Sequence, residues 1–183
     1  MSATTPSTLS GSWVADPIHS TASFAIQHMA VSTYRTSFKE VQANLEVDGD
    51  NISLTGTVPV ESVDIELPDF RGHVLSPEFF DAANHPNITF VSTAVRRGEG
   101  ESIEVEGELT VKGVTKPVQG TGILIGPAVN IAGIEVVGVQ LETKVDKNDF
   151  ELNWNAPLPK GGMAIGDEVT LTVHLEMRRK EEA

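Results

Sequence analysis

Several long stretches of this chain alternate strictly between apolar and polar side chains, and that pattern constrains the fold more than any other feature. From Val169 to Met177 the odd positions are Val169, Leu171, Val173, Leu175 and Met177, with Thr170, Thr172, His174 and Glu176 between them. Successive side chains of an extended strand point to opposite faces, so this is a strand with one dry and one wet side. Ile103, Val105, Gly107, Leu109 and Val111 alternate with Glu104, Glu106, Glu108 and Thr110, and Val137 to Val145 repeat the arrangement. Ala22, Phe24 and Ile26 do the same near the start, with His28 following in phase. Val, Ile and Thr together make 48 of the 183 residues, a composition suited to strands.

Weaker strands fit Trp13–Ala15, Phe38–Val47, Ile52–Val58, Ile88–Val95 and Pro117–Ile125. Phe38 is out of phase with Val41, Ala43, Leu45 and Val47, which predicts a β-bulge near Lys39 and Glu40. Asp48-Gly49-Asp50-Asn51, Gly98-Glu99-Gly100 and Lys112-Gly113 mark turns. Glu61 to Pro86 carries Pro68, Pro77 and Pro86 without alternation, and reads as a long connection with one or two short helices, around Ser76–Ala83. Eight or nine mostly antiparallel strands, several of them long, favour an all-β closed barrel over a sandwich. An eight-stranded barrel is roughly 16 Å across, wide enough to fill itself or to hold one small ligand.

Composition excludes several functions. Twenty-six acidic against 13 basic side chains leave a net charge of −13, the wrong sign for nucleic acid and unfavourable for anionic membranes. With no cysteine there is no disulfide, thiolate zinc site or cysteine nucleophile. No run of 18 apolar residues predicts a transmembrane helix, and the Ser/Thr-rich start lacks the basic and apolar regions of a signal peptide, so a cytoplasmic location is expected.

None of the five histidines has the spacing of a helical or strand metal pair. His174 falls on a wet face, and His85 precedes Pro86 in a turn. His28 points inward at a strand end, either as a hydrogen-bonded core residue or as a ligand group. Asp16, His19 and Ser20 lie too close in sequence for a nucleophilic triad; Asp16 and Ser20 suit capping of a turn. Of ten aromatic residues, Phe70, Phe79 and Phe80 lie in the long connection. They form either a satellite core or an apolar lid at a barrel mouth, where Arg71 and His73 would supply positive charge.

The ordered set Asp16-Pro17-x-His19-Ser20, Phe24, His28, Phe38, His73-x-x-Ser76-x-x-Phe79-Phe80-Asp81, His85-Pro86, Phe90 and Ser92-Thr93 resembles the YceI-like family. Gly107-Glu108-Leu109-Thr110-Val111-Lys112-Gly113 to Val118, then Phe150 to Asn155 and Gly166-Asp167-Glu168-Val169, extend the resemblance from about Trp13 to Met177. The family's common Arg-Asp pair before the middle histidine is Phe70-Arg71 here, its early glycine is Thr36, and its Arg and Gly around Asp-Phe are Lys147 and Glu151.

The resemblance implies a lipocalin-like barrel spanning residues 11–178, with tails at 1–10 and 179–183. It also implies non-enzymatic binding, transport or sequestration of an isoprenoid lipid or a quinone-like amphiphile. No cofactor, metal or catalytic residue is implied, and a homodimer stays open because relatives pair. Phe24, Ile26, Phe38, Leu45, Phe90, Val139, Leu141 and Val173 would line the interior, with His28 at a strand end. Phe70, Arg71, His73, Phe79 and Phe80 would lie near one mouth, and Trp154 would join them. Each buried CH₂ contributes about 0.8 kcal/mol, so fifteen carbons offer about 12 kcal/mol before ordering costs. Two alternatives remain: an enzyme on a similar apolar substrate with His28 as acid and base, and a ligand-free barrel acting as an interaction module.

Overall fold

The strands form in the order β1 (Gly11–Ala15), β2 (Thr21–His28), β3 (Ser32–Phe38), β4 (Gln42–Asp48), β5 (Asn51–Pro59), β6 (Asn87–Arg97), β7 (Ser102–Val111), β8 (Val114–Val129), β9 (Glu135–Asp146) and β10 (Ile165–Arg179). A helix, α1 (Pro68–Leu75), lies between β5 and β6. The structure, a computed structural model, describes residues 9–180. Of the expected tails at 1–10 and 179–183, residues 1–8 and 181–183 lie outside the described residues. Arg179, assigned above to the C-terminal tail, belongs to β10, where it pairs with Trp13.

All strand pairings are antiparallel, and β1-β4-β5-β6-β7-β8-β9-β10 closes on itself through β1 and β10. One edge of β10 pairs with β2 from Ile165 to His174 and with β1 from Met177 to Arg179. Thus β1 and β2 are two segments of one long barrel strand, interrupted at Asp16–Ser20. β3 and β4 are likewise two segments of the next, since β2 pairs with β3 and β1 with β4. Counted this way the barrel has eight strands. The discontinuity predicted at Lys39 and Glu40 is real, but it separates two strands where a bulge was expected. It is held by Lys39 N donating to Ser62 O (2.8 Å) and by an ion pair from Lys39 Nζ to Asp64 (2.9 Å).

The interruption at Asp16–Ser20 is a capped turn. The Asp16 carboxylate accepts from the backbone N–H groups of Ile18 (2.9 Å) and His19 (3.0 Å), and Ser20 Oγ donates to Glu176 O (3.1 Å). These bonds satisfy backbone groups that leave the ladder, as the capping reading required.

Closure is incomplete at one end. On its side away from β2, β3 makes only a bridge from Phe38 to Val63, with Asp64 N donating to Ser37 O and Thr36 Oγ1 to Asp64 O. The Val60–Pro86 connection covers this gap between β3 and β6. Its helix lies at Pro68–Leu75 and replaces the one expected at Ser76–Ala83, which forms turns. Pro68 occupies the first helical position, where a missing N–H costs nothing, and Ser76 before Pro77 is held extended (ψ 168°) and stops the helix.

The other end is packed solid. Trp13, Leu45, Val47, Val137, Val139 and Met177 are all at most 3% exposed. Lys180 N donates to Ser12 O (2.8 Å) and continues the β1–β10 seam beyond the last strand.

Candidate functional site

The alternating strands bring their dry faces together around the barrel axis, and the space they enclose is not filled throughout. A main cavity of about 460 Å³ lies at the incompletely closed end. The β2–β3 hairpin supplies Phe24, Ile26, His28, Met29, Tyr34 and Phe38, and the connection supplies Phe70, His73, Val74, Phe79 and Phe80. Lys147, Phe150, Leu152 and Trp154, after β9, form a third wall. Ile88, Leu109, Val111, Val145, Val169 and Leu171 complete it from the barrel itself. A second chamber of about 160 Å³ touches Phe38, Phe90, Leu141, Leu171, Val173 and Leu175.

Two ring clusters shape the main cavity. Phe24 meets Phe38 at 5.9 Å between centroids and Phe80 at 6.3 Å, and Tyr34 packs edge-on to Phe70 at 5.5 Å. In the second cluster His73 stands nearly perpendicular to Phe79 (5.0 Å) and Trp154 (4.9 Å), whose rings are 5.1 Å apart. His73 Nε2 lies 2.8 Å from the Glu78 carboxylate, which orients the imidazole. Edge-to-face and tilted contacts of this kind hold ring positions while presenting hydrocarbon to the cavity.

Four titratable side chains reach the cavity wall: His28, Tyr34, His73 and Lys147. Lys147 is 3% exposed, and its ammonium donates to Asn148 Oδ1 (3.1 Å) and Leu152 O (3.0 Å), with Asp167 at 3.6 Å. Its cation is thereby satisfied from the outer side while its stem covers cavity wall. On the exposed faces of the strands, ion pairs displace pKa values. Hydrogen bonding and then charge from Arg96 lower that of Glu106, and hydrogen bonding and then charge from Glu168 raise that of Lys144. Among the described residues no three His, Asp or Glu side chains converge as a metal site.

The residues singled out from sequence fall into three groups. Phe24, Ile26, His28, Phe38, Phe70, His73, Phe79, Phe80 and Trp154 line the main cavity, and Phe38, Phe90, Leu141 and Val173 line the smaller chamber. Leu45 and Val139 are inward but pack in the solid end and touch neither cavity, because alternation assigns a face and not a height along the axis. Arg71 does not line either cavity: its Nη2 donates to Glu61 O (2.5 Å) and Oε2 (2.8 Å), so this charge is occupied within the connection.

Tyr34, Lys147 and Phe150 were missed as wall residues. Tyr34 lies opposite Ile26 and two steps from Phe38 along β3, a phase hidden by the polar Ser32 and Thr36. Phe150 is brought to the wall by a 3₁₀ turn at Lys147–Phe150, where Asp146 caps Asn148 N.

Known proteins repeat this architecture. BcnA of Burkholderia cenocepacia superposes with a TM-score of 0.75 over 88% of this chain and 98% of its own, at 24% identity. A structure of a polyisoprenoid binding domain from Saccharophagus degradans superposes with a TM-score of 0.71 over 92% of this chain and 98% of its own, at 13% identity. In sequence, the chain is 33% identical to protein YceI of Salmonella newport over 137 residues, 73% of this chain and 71% of that protein. The model of the YceI-like domain matches residues 13–177, from the first tryptophan to the last apolar position of β10. With barrel, ordered motifs and extent in agreement, the chain belongs to the YceI-like family.

Proposed function

We propose that the protein is a non-enzymatic binder of a long-chain, isoprenoid-type amphiphile, which it carries or sequesters with the tail inside the barrel. The observation that carries this reading is the main cavity of about 460 Å³, walled mostly by apolar side chains, the rings of Phe70, Phe79 and Trp154 among them. Hydrocarbon gains free energy in such a space simply by leaving water, and a polar head would remain at the mouth. The likeness to a polyisoprenoid binding domain supports the same ligand class, and a quinone-like head on a prenyl tail satisfies the same geometry.

Mass spectrometry of purified protein after denaturation tests the proposal. Release of a prenyl-type or other long-chain amphiphile is the expected result. Protein that releases none, and that binds no prenyl alcohol or quinone on titration, refutes it. The reading of His28 as an acid and base makes a separate demand: His28→Ala would abolish turnover of an apolar substrate while leaving its binding intact.

A further inference from the structure

The two cavities are stacked along the barrel axis. Along β10, Val169 and Leu171 face the main cavity, Leu171, Val173 and Leu175 face the small chamber, and Met177 lies in the solid end. The order along β9 agrees, with Val145 on the main cavity, Leu141 on the chamber and Val139 in packed core. The small chamber therefore lies directly beyond the main one, where the end of an inserted tail would arrive.

The partition between them is formed by the side chains that border both spaces: Phe38, Ile88, Leu109 and Leu171. Phe38 is the largest. It is 5% exposed and held between the rings of Phe24 at 5.9 Å and Phe80 at 6.2 Å. Its position at the end of β3, bridged to Val63, ties it to the place where the barrel strand breaks.

We propose that this chain selects amphiphiles by tail length, and that Phe38 sets the limit by closing the main cavity against the distal chamber. The proposal rests on the lipid-binding reading above. A benzene fits a cavity of about 150 Å³, or roughly 25 Å³ per carbon. At that density the main cavity of about 460 Å³ encloses roughly 18 carbons, and the chamber of about 160 Å³ roughly six more. Three isoprene units fill the main cavity. With the partition closed a fourth unit reaches the limit and longer tails leave hydrocarbon outside; the chamber adds room only when Phe38 is removed.

The test is a titration of lipid-free full-length chain with linear prenyl alcohols of ten, fifteen, twenty, twenty-five and thirty carbons. In the parent chain affinity rises to a maximum at fifteen to twenty carbons and declines beyond it. Phe38→Ala opens the partition and shifts the optimum to longer tails, raising affinity for the twenty-five-carbon alcohol about tenfold relative to the fifteen-carbon one. Phe38→Leu moves the profile in the same direction by less, which keeps the test available should the alanine variant fail to fold. Adding Ala43→Leu, which fills the distal chamber, to Phe38→Ala cancels the gain at twenty-five carbons. Affinity in the parent chain that climbs through thirty carbons, or one length profile shared by the parent and all variants, overturns the limit while leaving lipid binding in place. Failure to bind any length overturns both proposals.

Discussion

The guanidinium of Arg179, on the last strand, lies over the indole of Trp13, on the first, 4.4 Å from the ring centroid. Its Nε donates to Glu135 (2.5 Å) and its Nη1 to Ser10 O (3.0 Å), so one side chain joins β1, β9 and β10 at the solid end. A partly desolvated cation over tryptophan contributes about 0.5–2 kcal/mol. Arg179→Ala is expected to lower stability by about 1–2 kcal/mol, which for a chain of this size reduces Tm by about 2–8 °C. Lipid binding at the opposite end remains unchanged. Thermal unfolding with and without a prenyl alcohol measures both.

The two tryptophans sit at opposite ends of the barrel, Trp13 fully buried in the packed end and Trp154 on the wall of the main cavity. A tail entering that cavity changes the surroundings of one indole and not the other. Titration with a prenyl alcohol should therefore alter intrinsic fluorescence in the parent chain and in Trp13→Phe. Trp154→Phe should lose the signal. A signal that survives in Trp154→Phe would locate the ligand elsewhere.

What the sequence makes legible follows from what alternation encodes. A period of two separates inside from outside, which is why Phe24, Ile26, Leu141 and Val173 were assigned inward and do border cavities. It carries no information about axial height, so Leu45 and Val139 were indistinguishable from true wall residues. β3 escaped as a strand because Ser32 and Thr36 occupy its inward phase and its turn has no glycine. Arg71 looked available for an anionic head group, and only the fold brings Glu61 against it. The partition at Phe38 was out of reach, since it depends on rings from the hairpin and the connection meeting across the axis.

The Asp16 carboxylate makes the turn between β1 and β2 sensitive to acid. Backbone N–H donors from Ile18 and then His19 hold its pKa below the ordinary carboxylate value. A lowered folded-state pKa contributes stability that is present above the unfolded pKa and is lost as pH falls through the folded one. The Tm difference between the parent chain and Asp16→Ala should be constant above about pH 5 and narrow progressively below about pH 4. Thermal unfolding across that range at fixed ionic strength checks it; a gap independent of pH would assign the turn to some other contact.

The β2–β3 hairpin reverses through Met29 and Ala30, which take φ of 51° and 57°, with Val31 N donating to His28 O (3.2 Å). Two consecutive left-handed residues are the geometry of a tight hairpin turn that favours Asn-Gly, and a side chain with a Cβ pays a steric penalty there. Ala30→Gly relieves one of the two positions, offset in part by the greater freedom of glycine in the unfolded chain. It is expected to stabilise by about 0.5–1 kcal/mol, or a rise in Tm of about 1–4 °C, and to leave lipid affinity unchanged because Ala30 does not border the cavity. Adding Met29→Asn completes the preferred turn and raises Tm further. Met29 does border the cavity, however, so the double variant should bind prenyl alcohols more weakly than Ala30→Gly alone. Paired measurements of Tm and affinity on the two variants separate the contribution of the turn to folding from that of its side chain to the mouth.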